Sequence, residues 1–332
     1  MKRIAFAGVS HIHTPHFLKL LKARPDFEIA AAWDPDRARA EKIAAETGCK
    51  VAAAPVELWN DPSVDAVAVC SETVHHRELV LPAAAKGKHL FVEKPLGFSA
   101  ADALVMAAAI ERAGVLFQTG YFMRGQPAHR ALKQMVTDGV FGKITRVRHV
   151  NCHHGSLGGW FDTDYRWMAD PSQSGCGAFG DLGTHSLDIL MWLFGRPEQV
   201  TAEIRTVTGR YGKHCDETGT ALLEFPGGIA GTLCGGWVDL ANPVTCEVSG
   251  TEGFAFICRG KLFVKSPNLE GADGETPWTA LPEELSHAFT LFLDAVAGKE
   301  GVPLVTASEA AERNVVMEAL YRAARTRSWV QP

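Results

Sequence analysis

Short, fully apolar stretches alternate with helical ones over the first 120 residues. Ile4 to Ala7 is an apolar run that stops at Gly8. After a polar loop, a helical stretch covers about Phe17 to Ala23, and Glu28 to Trp33 forms the next strand, ending at Asp34-Pro35-Asp36. A helix is predicted over Arg37 to Thr47, stopped by Gly48. A strand follows over Ala66 to Cys70, a helix over His76 to Lys86 and a strand over His89 to Val92. Ser99, with Asp102 three residues on, predicts a capped helix start. That helix ends at Gly114, and Leu116 to Thr119 is a last short strand. Strands that are apolar throughout, with no alternation, belong to a parallel sheet covered on both faces. The βαβα order with short connections predicts a doubly wound α/β fold.

The pattern changes after about residue 121. Ala128 to Val136 reads as a helix, and Ile144 to Cys152 and Val200 to Val207 as long strands. Thr218 to Phe225 and Ile229 to Val238 flank Pro226-Gly227-Gly228, a hairpin turn signal. Val244 to Ser249 and Phe254 to Cys258 flank Gly250-Thr251-Glu252-Gly253, a second one. The last helix is expected from near Thr306, with Glu309 in the capping-box position, to about Arg325. Two domains follow: residues 1–121, and an α+β domain over 122–332 with a mainly antiparallel sheet and few helices.

Composition narrows the function. The 332 residues carry 33 Lys+Arg against 38 Asp+Glu, with no basic block, which argues against a nucleic-acid or anionic-membrane partner. Every apolar run is shorter than the roughly 18 residues a membrane span needs. MKRIAFAGVSHIH reads as a first strand rather than a secretory signal. Eight Cys are scattered with no CxxC, so reduced cytoplasmic thiols are expected rather than a disulfide framework.

In doubly wound sheets ligands sit beyond the carboxyl ends of the strands. That rule singles out Gly8 to His13, Asp34, Cys70 to His76 and Glu93-Lys94-Pro95. A dinucleotide loop reads GxGxxG, and here the six positions are Gly8, Val9, Ser10, His11, Ile12 and His13. Only the first glycine is kept; Ser10 is small enough for a phosphate to approach, whereas His13 is bulky. Asp34 lies where an acidic residue binds ribose hydroxyls and repels a 2′-phosphate, which favours NAD over NADP. Arg37 would soften that preference. The candidate cofactor-binding set is Gly8, Ser10, His11, Ile12, Asp34, Ser71, His76, Glu93 and Lys94. His11, His13 and His16 raise the question of a metal, but no carboxylate or Cys lies in that loop, and no metal is expected.

Lys94, just past a central strand, can polarise a substrate oxygen. Asp181 and His185 stand at i and i+4 of a predicted helix that opens on glycines including Gly175, Gly177 and Gly180, with Asp188 close to the same face. A His with an adjacent carboxylate can transfer a proton.

The stretch AAAKGKHLFVEKPLGFSA followed by GCGAFGDLGTHSLDILMWLFG resembles the Gfo/Idh/MocA family of oxidoreductases. The resemblance extends to the first strand, Asp34, HCDETGTALLEF and EVSGTEGFAF. It implies a Rossmann domain followed by a domain with a large open-faced, mainly antiparallel sheet. It implies an NAD(P)-dependent enzyme moving a hydride between nicotinamide and a secondary alcohol or ketone of a sugar, cyclitol or other polyhydroxy compound. Lys94 matches the Lys of the family's EKP motif, Asp181 and His185 its Asp-x-x-x-His pair, and His76 a His near the cofactor. This chain departs from the family at the glycine loop and at Ser71-Glu72-Thr73-Val74, where a Pro is usual. Lys94, Arg124, Trp160, Tyr165, Arg166, Asp181 and His185 are the candidate substrate contacts, with Trp160 and Trp167 alternatively anchoring their loop. An open-faced sheet further implies a homodimer or homotetramer through that face. The competing readings are a non-redox binding or regulatory relative, a lyase or glycosidase that uses NAD transiently, and a metal hydrolase on Asp181, His185 and Asp188.

Overall fold

A computed structural model describes all of residues 1–332. In chain order its elements are β1 (Lys2–Ala7), α1 (Thr14–Lys22), β2 (Phe27–Trp33), α2 (Arg37–Thr47), β3 (Lys50–Val51), α3 (Val56–Asn60), β4 (Ala66–Val69), α4 (His76–Ala85), β5 (His89–Val92), α5 (Ala100–Ala113) and β6 (Phe117–Thr119). Then come α6 (Pro127–Thr137), β7 (Ile144–Cys152), α7 (Pro171–Ser174), α8 (Ala178–Phe194), β8 (Gln199–Arg205), β9 (Thr218–Phe225) and β10 (Ile229–Gly236). The last are β11 (Val244–Gly250), β12 (Gly253–Cys258), β13 (Lys261–Lys265), β14 (Asp273–Pro277), α9 (Ala288–Val296) and α10 (Ala307–Thr326).

The chain divides into two compact units. The first holds Met1–Tyr121, Asp162–Gly175 and Ser286–Asn314. Its six strands pair in parallel in the order β3-β2-β1-β4-β5-β6. Alternate residues serve opposite faces, as a strand requires. Ala5, Ala7, Val67, Val69, Leu90 and Val92 join the core beneath α4 and α5. Ile4, Phe6, Ala66, Ala68 and Phe91 face the other way, onto α1 and α9. There Phe17 stacks on Phe289 at 4.8 Å and Phe91 meets Phe289 edge-on at 4.9 Å. Helix α9 therefore covers the sheet of the first unit. Segments 162–175 and 286–314 thus depart from the expectation that everything past residue 121 belongs to the second domain. The physical reason is long-range aromatic packing, which periodicity does not register.

Caps set the helix ends. Ser99 Oγ accepts the Asp102 N–H at 3.1 Å, and α5 closes on Gly114 at φ +63°. Thr306 and Glu309 cap α10 reciprocally: Glu309 N–H donates to Thr306 Oγ1 at 3.1 Å and Thr306 N–H to Glu309 Oε2 at 3.0 Å.

The second unit holds Phe122–Phe161, Cys176–Leu285 and Val315–Pro332. Its eight strands run in the order β14-β13-β12-β11-β7-β10-β9-β8. Only β7 and β10 pair in parallel; all other neighbours are antiparallel. Both hairpins stand where their glycines put them, closing on Phe225↔Ile229 and Gly250↔Gly253. Strands β13 and β14 extend the sheet beyond what the sequence pattern shows. Helix α8 lies on β7, β9 and β10, and its apolar side chains fill one continuous core. Gly235 is needed for that approach, because a Cβ there would stand 2.6 Å from the Gly183 nitrogen. On the opposite sheet face Leu222 and Phe254 are exposed, and Phe256 stacks on Phe263 at 4.8 Å. No helix is long and apolar enough to cross a membrane.

Candidate active site

In the first unit the loop after β1 turns at Gly8, whose φ is +78°. A Cβ at Gly8 would stand 2.3 Å from the Ser71 Cβ, so this position admits only glycine. The loop is fastened from several sides. His11 N–H donates to Cys70 O at 3.0 Å, and the buried Trp167 indole donates to Ser10 O at 3.1 Å. Asp34 takes the Val9 N–H on Oδ2 at 2.7 Å and the Asp36 N–H on Oδ1 at 2.9 Å. Burial pushes the Asp34 carboxyl up, against those two N–H bonds, which favour its ionised form. Oδ1 also accepts from Arg39 Nη1 at 3.5 Å, so Oδ2 is the oxygen that keeps a second lone pair.

Arg39, not Arg37, is the cation beside Asp34. Its Nη1 lies 3.5 Å from Asp34 Oδ1 and 2.8 Å from Glu72 Oε1, while Arg37 pairs with Glu41 at the surface. Val9, Ser10, His11, Arg39, Lys42 and Tyr165 line a cavity of about 440 Å³. The Ser10 hydroxyl and the His76 Nε2 are buried without a hydrogen-bond partner, while His76 Nδ1 pairs with Leu96 O at 3.0 Å. Unpartnered polar atoms at the carboxyl ends of β1 and β4 are what a dinucleotide's phosphates and ribose would satisfy. These residues therefore fit NAD.

Glu93 and Lys94 follow β5 and are buried. The Lys94 N–H donates to Glu93 Oε2 at 3.0 Å. Glu93 Oε1 lies 3.0 Å from His13 Nδ1 and 3.6 Å from His11 Nδ1. Burial pushes the Glu93 carboxyl up, but the charges of His11 and His13, the hydrogen bond to His13 and the Lys94 charge outweigh it. The group is held well below the usual carboxylate range.

In the second unit Asp181 and His185 stand one turn apart on α8, and His185 is buried with its ring edge-on to Phe122 at 5.4 Å. The N-cap residue is Gly177, which has no side chain to cap with. Asp216 takes over from a distant segment: Oδ2 accepts the Gly177 N–H at 3.1 Å and Oδ1 the Phe179 N–H at 2.7 Å. The buried Tyr321 hydroxyl donates to Asp216 Oδ2 at 2.8 Å and accepts the Gly180 N–H at 2.9 Å. Three of the four orphan N–H groups that open a helix are thereby satisfied or approached by one carboxylate–phenol pair. Trp237, fully buried against Phe161, donates its indole N–H to Asp181 Oδ2 at 3.0 Å. That bond sets the rotamer of the carboxylate one turn before His185.

Beneath α8 lies a polar pair the sequence does not signal. His149 Nδ1 is 2.9 Å from Ser186 Oγ, and its Nε2 is 3.2 Å from His129 Nε2. Burial lowers both imidazoles, His129 to about 4, so both are neutral near pH 7.

The expected site residues separate between the units. Gly8, Ser10, His11, Ile12, Asp34, Ser71, His76, Glu93 and Lys94 all lie at the carboxyl ends of the first unit's strands. Asp181, His185, Arg124 and Trp160 lie in the second unit. Tyr165 and Arg166 belong to the first, where Arg166 Nη1 donates to Ala169 O at 2.9 Å. Trp160 is exposed, with its ring 4.6 Å from His153. Arg124 is engaged: it grips Asp188 through two bonds, 2.9 Å to Oδ2 and 2.6 Å to Oδ1. Asp188 is thereby committed to Arg124, which removes the basis for grouping it with Asp181 and His185 around a metal. Sequence reasoning does not reach Asp216, Trp237 and Tyr321, since each acts on a residue far away in the chain, nor Arg39, which bridges nearby Asp34 to distant Glu72.

Comparison with known proteins matches both halves of the chain. Residues 2–121 match the oxidoreductase family with an NAD-binding Rossmann fold, and residues 129–256 match the GFO/IDH/MocA C-terminal domain. The chain is 29% identical to scyllo-inositol 2-dehydrogenase (NAD(+)) of Bacillus subtilis (strain 168), over 77% of this chain and 73% of that one. It is 32% identical to trans-1,2-dihydrobenzene-1,2-diol dehydrogenase of Oryctolagus cuniculus, over 72% of this chain and 70% of that one. An NAD-binding oxidoreductase from Klebsiella pneumoniae superposes with a TM-score of 0.81 at 25% identity, covering 99% of this chain and 98% of that one. With both halves matched and the Rossmann loop and Asp181–His185 helix in place, the chain belongs to the Gfo/Idh/MocA family of NAD-dependent oxidoreductases.

Proposed function

We propose that this oxidoreductase oxidises a secondary alcohol of a cyclic polyhydroxy compound, a cyclitol or a sugar, or reduces the matching ketone. The observation that carries the reading is α8, whose buried His185 follows Asp181 by one turn while Asp216, Tyr321 and Trp237 hold that turn in place. That two of the relatives are dehydrogenases of an inositol and of a cyclic diol supports the substrate class. The nicotinamide, when bound, carries the hydride.

The chain's own residues do the rest. His185 takes the hydroxyl proton during oxidation and returns it during reduction. Asp181 orients the imidazole and the substrate. Lys94, short of solvent and three donors strong, steadies the oxygen as negative charge develops on it. Gly8, Ser10, His11, Ile12, Asp34, Ser71, His76 and Glu93 form the cofactor cradle, with Asp34 Oδ2 keeping a lone pair for a ribose hydroxyl. Trp160, Tyr165 and Arg166 are the candidate substrate contacts, whereas Arg124 acts by fixing Asp188.

The test starts with cofactor. Purified protein is denatured, released nucleotide is identified by mass, and the emptied protein is titrated with NADH and NADPH. NADH is expected to bind more tightly, and a panel of cyclitols and sugars with NAD should then yield NADH. Binding of neither nucleotide overturns the reading, and turnover without net redox change moves it to a lyase or glycosidase.

The exposed sheet face carrying Leu222, Phe254, Phe256 and Phe263 supports a homodimer or homotetramer built through it. A dimeric or larger mass by light scattering at micromolar concentration is expected; a monomer counts against it. That none of the eight cysteines forms a disulfide supports a cytoplasmic location.

A further inference from the structure

We propose that His11, His13 and Glu93 bind one divalent transition-metal ion, with Zn²⁺ the best match to the donors. The histidines belong to the loop after β1, and Glu93 follows β5, two strands away in the sheet. One ligand atom from each residue lies within 4.8 Å of the other two. Glu93 Oε1 stands 3.0 Å from His13 Nδ1 and 3.6 Å from His11 Nδ1. Donors about 2.0–2.2 Å from a tetrahedral Zn²⁺ stand roughly 3.3–3.6 Å apart, close to both Glu93 distances. The widest separation, up to 4.8 Å, closes by about an ångström if the half-exposed His13 side chain turns towards His11.

The donor chemistry agrees. Two imidazoles and one carboxylate are a set that Zn²⁺ accepts, with a fourth position left for an outside ligand. That position has access: the His13 side chain is 43% exposed, against 3% for His11 and 0% for Glu93. A carboxylate with no solvent exposure needs a paired cation or a metal. The Lys94 N–H occupies only Oε2, leaving Oε1 directed at the two imidazoles. Binding replaces the His13 Nδ1–Glu93 Oε1 hydrogen bond at 3.0 Å and the His13 N–H bond to His11 Nδ1 at 3.2 Å. The absence of a carboxylate within the loop is no obstacle, because the fold brings one from 80 residues away.

The experiment uses the untagged full-length chain, stripped with a chelator and free of nucleotide. It is titrated with Zn²⁺ by calorimetry and with Co²⁺ by absorption. One ion per chain is expected, with the ligand-field bands of a four-coordinate Co²⁺ site. His13→Ala and Glu93→Gln should each weaken binding by about tenfold to a hundredfold or more, since each removes a ligand and even outer-shell changes cost that much. His75→Ala, which removes another His–carboxylate pair (Nδ1 to Glu78 Oε1, 2.7 Å), should leave affinity unchanged. His13 is half-exposed, so its variant keeps the test readable if Glu93→Gln fails to fold by near-UV circular dichroism. Less than one ion per chain, or unchanged affinity in folded His13→Ala, overturns the site. Because nucleotide is absent, that result leaves dinucleotide binding untouched.

Discussion

Lys94→Ala and His185→Ala are each expected to lower turnover by about two to four orders of magnitude. Removing a positioned general acid–base group costs about 10²–10⁴ in rate. Removing a preorganised donor to a developing oxyanion costs about 10²–10³. Both side chains are 4% exposed, so water does not readily stand in for either. His185→Ala should leave NADH affinity largely as it was, because His185 lies outside the nucleotide-binding unit. The loss should then appear in single-turnover hydride transfer rather than in cofactor binding. Lys94→Ala can also weaken NADH, since Lys94 adjoins the cofactor cradle, so its rate must be read at saturating nucleotide. Turnover near that of the parent protein in either variant, with folding unchanged, removes that residue from the mechanism.

Asp216→Ala is expected to destabilise the protein by about 3–5 kcal/mol and to reduce turnover in whatever remains folded. Its carboxylate accepts from Gly177 N–H, Phe179 N–H and the Tyr321 hydroxyl. Losing an N-cap costs about 0.5–2 kcal/mol, and each buried donor left unpaired costs about 1–3 kcal/mol. Burial pushes the Asp216 carboxyl up, more than its hydrogen bonds pull it down. Asp216→Asn, which keeps one accepting oxygen, should fall between the parent protein and Asp216→Ala. Tyr321→Phe strips the Gly180 N–H of its partner and should cost about 1–3 kcal/mol. The two losses should combine less than additively because the groups form one network. Denaturant unfolding gives the stabilities. Asp216→Ala with unchanged stability would show that α8 does not depend on this cap. Changed kcat with unchanged KM in the surviving enzyme would tie the cap to the placement of Asp181 and His185.

Local features were legible in the chain itself. The bounds of α2, β5, β7 and β9 coincide with the hydrophobic pattern, because burial of a helix or strand face is written at fixed spacing. The Ser99 and Thr306 caps stand where their partners three residues on put them. The motifs carrying Lys94 and the Asp181–His185 pair point to the family, and both family domains match. Boundaries blurred where the apolar run outlasts its pairing, as at β10, which stops at Gly236, short of the expected Val238, and where a helix opens on polar residues before its apolar face, as at α1, which starts at Thr14 rather than Phe17.

What the chain by itself determined is which segments are strands and helices, where most of them end, and which side chains have chemistry to offer. Tertiary structure decided who meets whom. It set Glu93 against His11 and His13, put Asp216 in the cap position of a helix 39 residues away in sequence, and tied Arg124 to Asp188. It also drew segments 162–175 and 286–314 into the first unit. Periodicity, capping and turn chemistry act over a few residues and leave a local trace. A hydrogen bond or an aromatic contact between distant segments depends on the path of the whole chain, and neither partner's neighbours in sequence carry any mark of it.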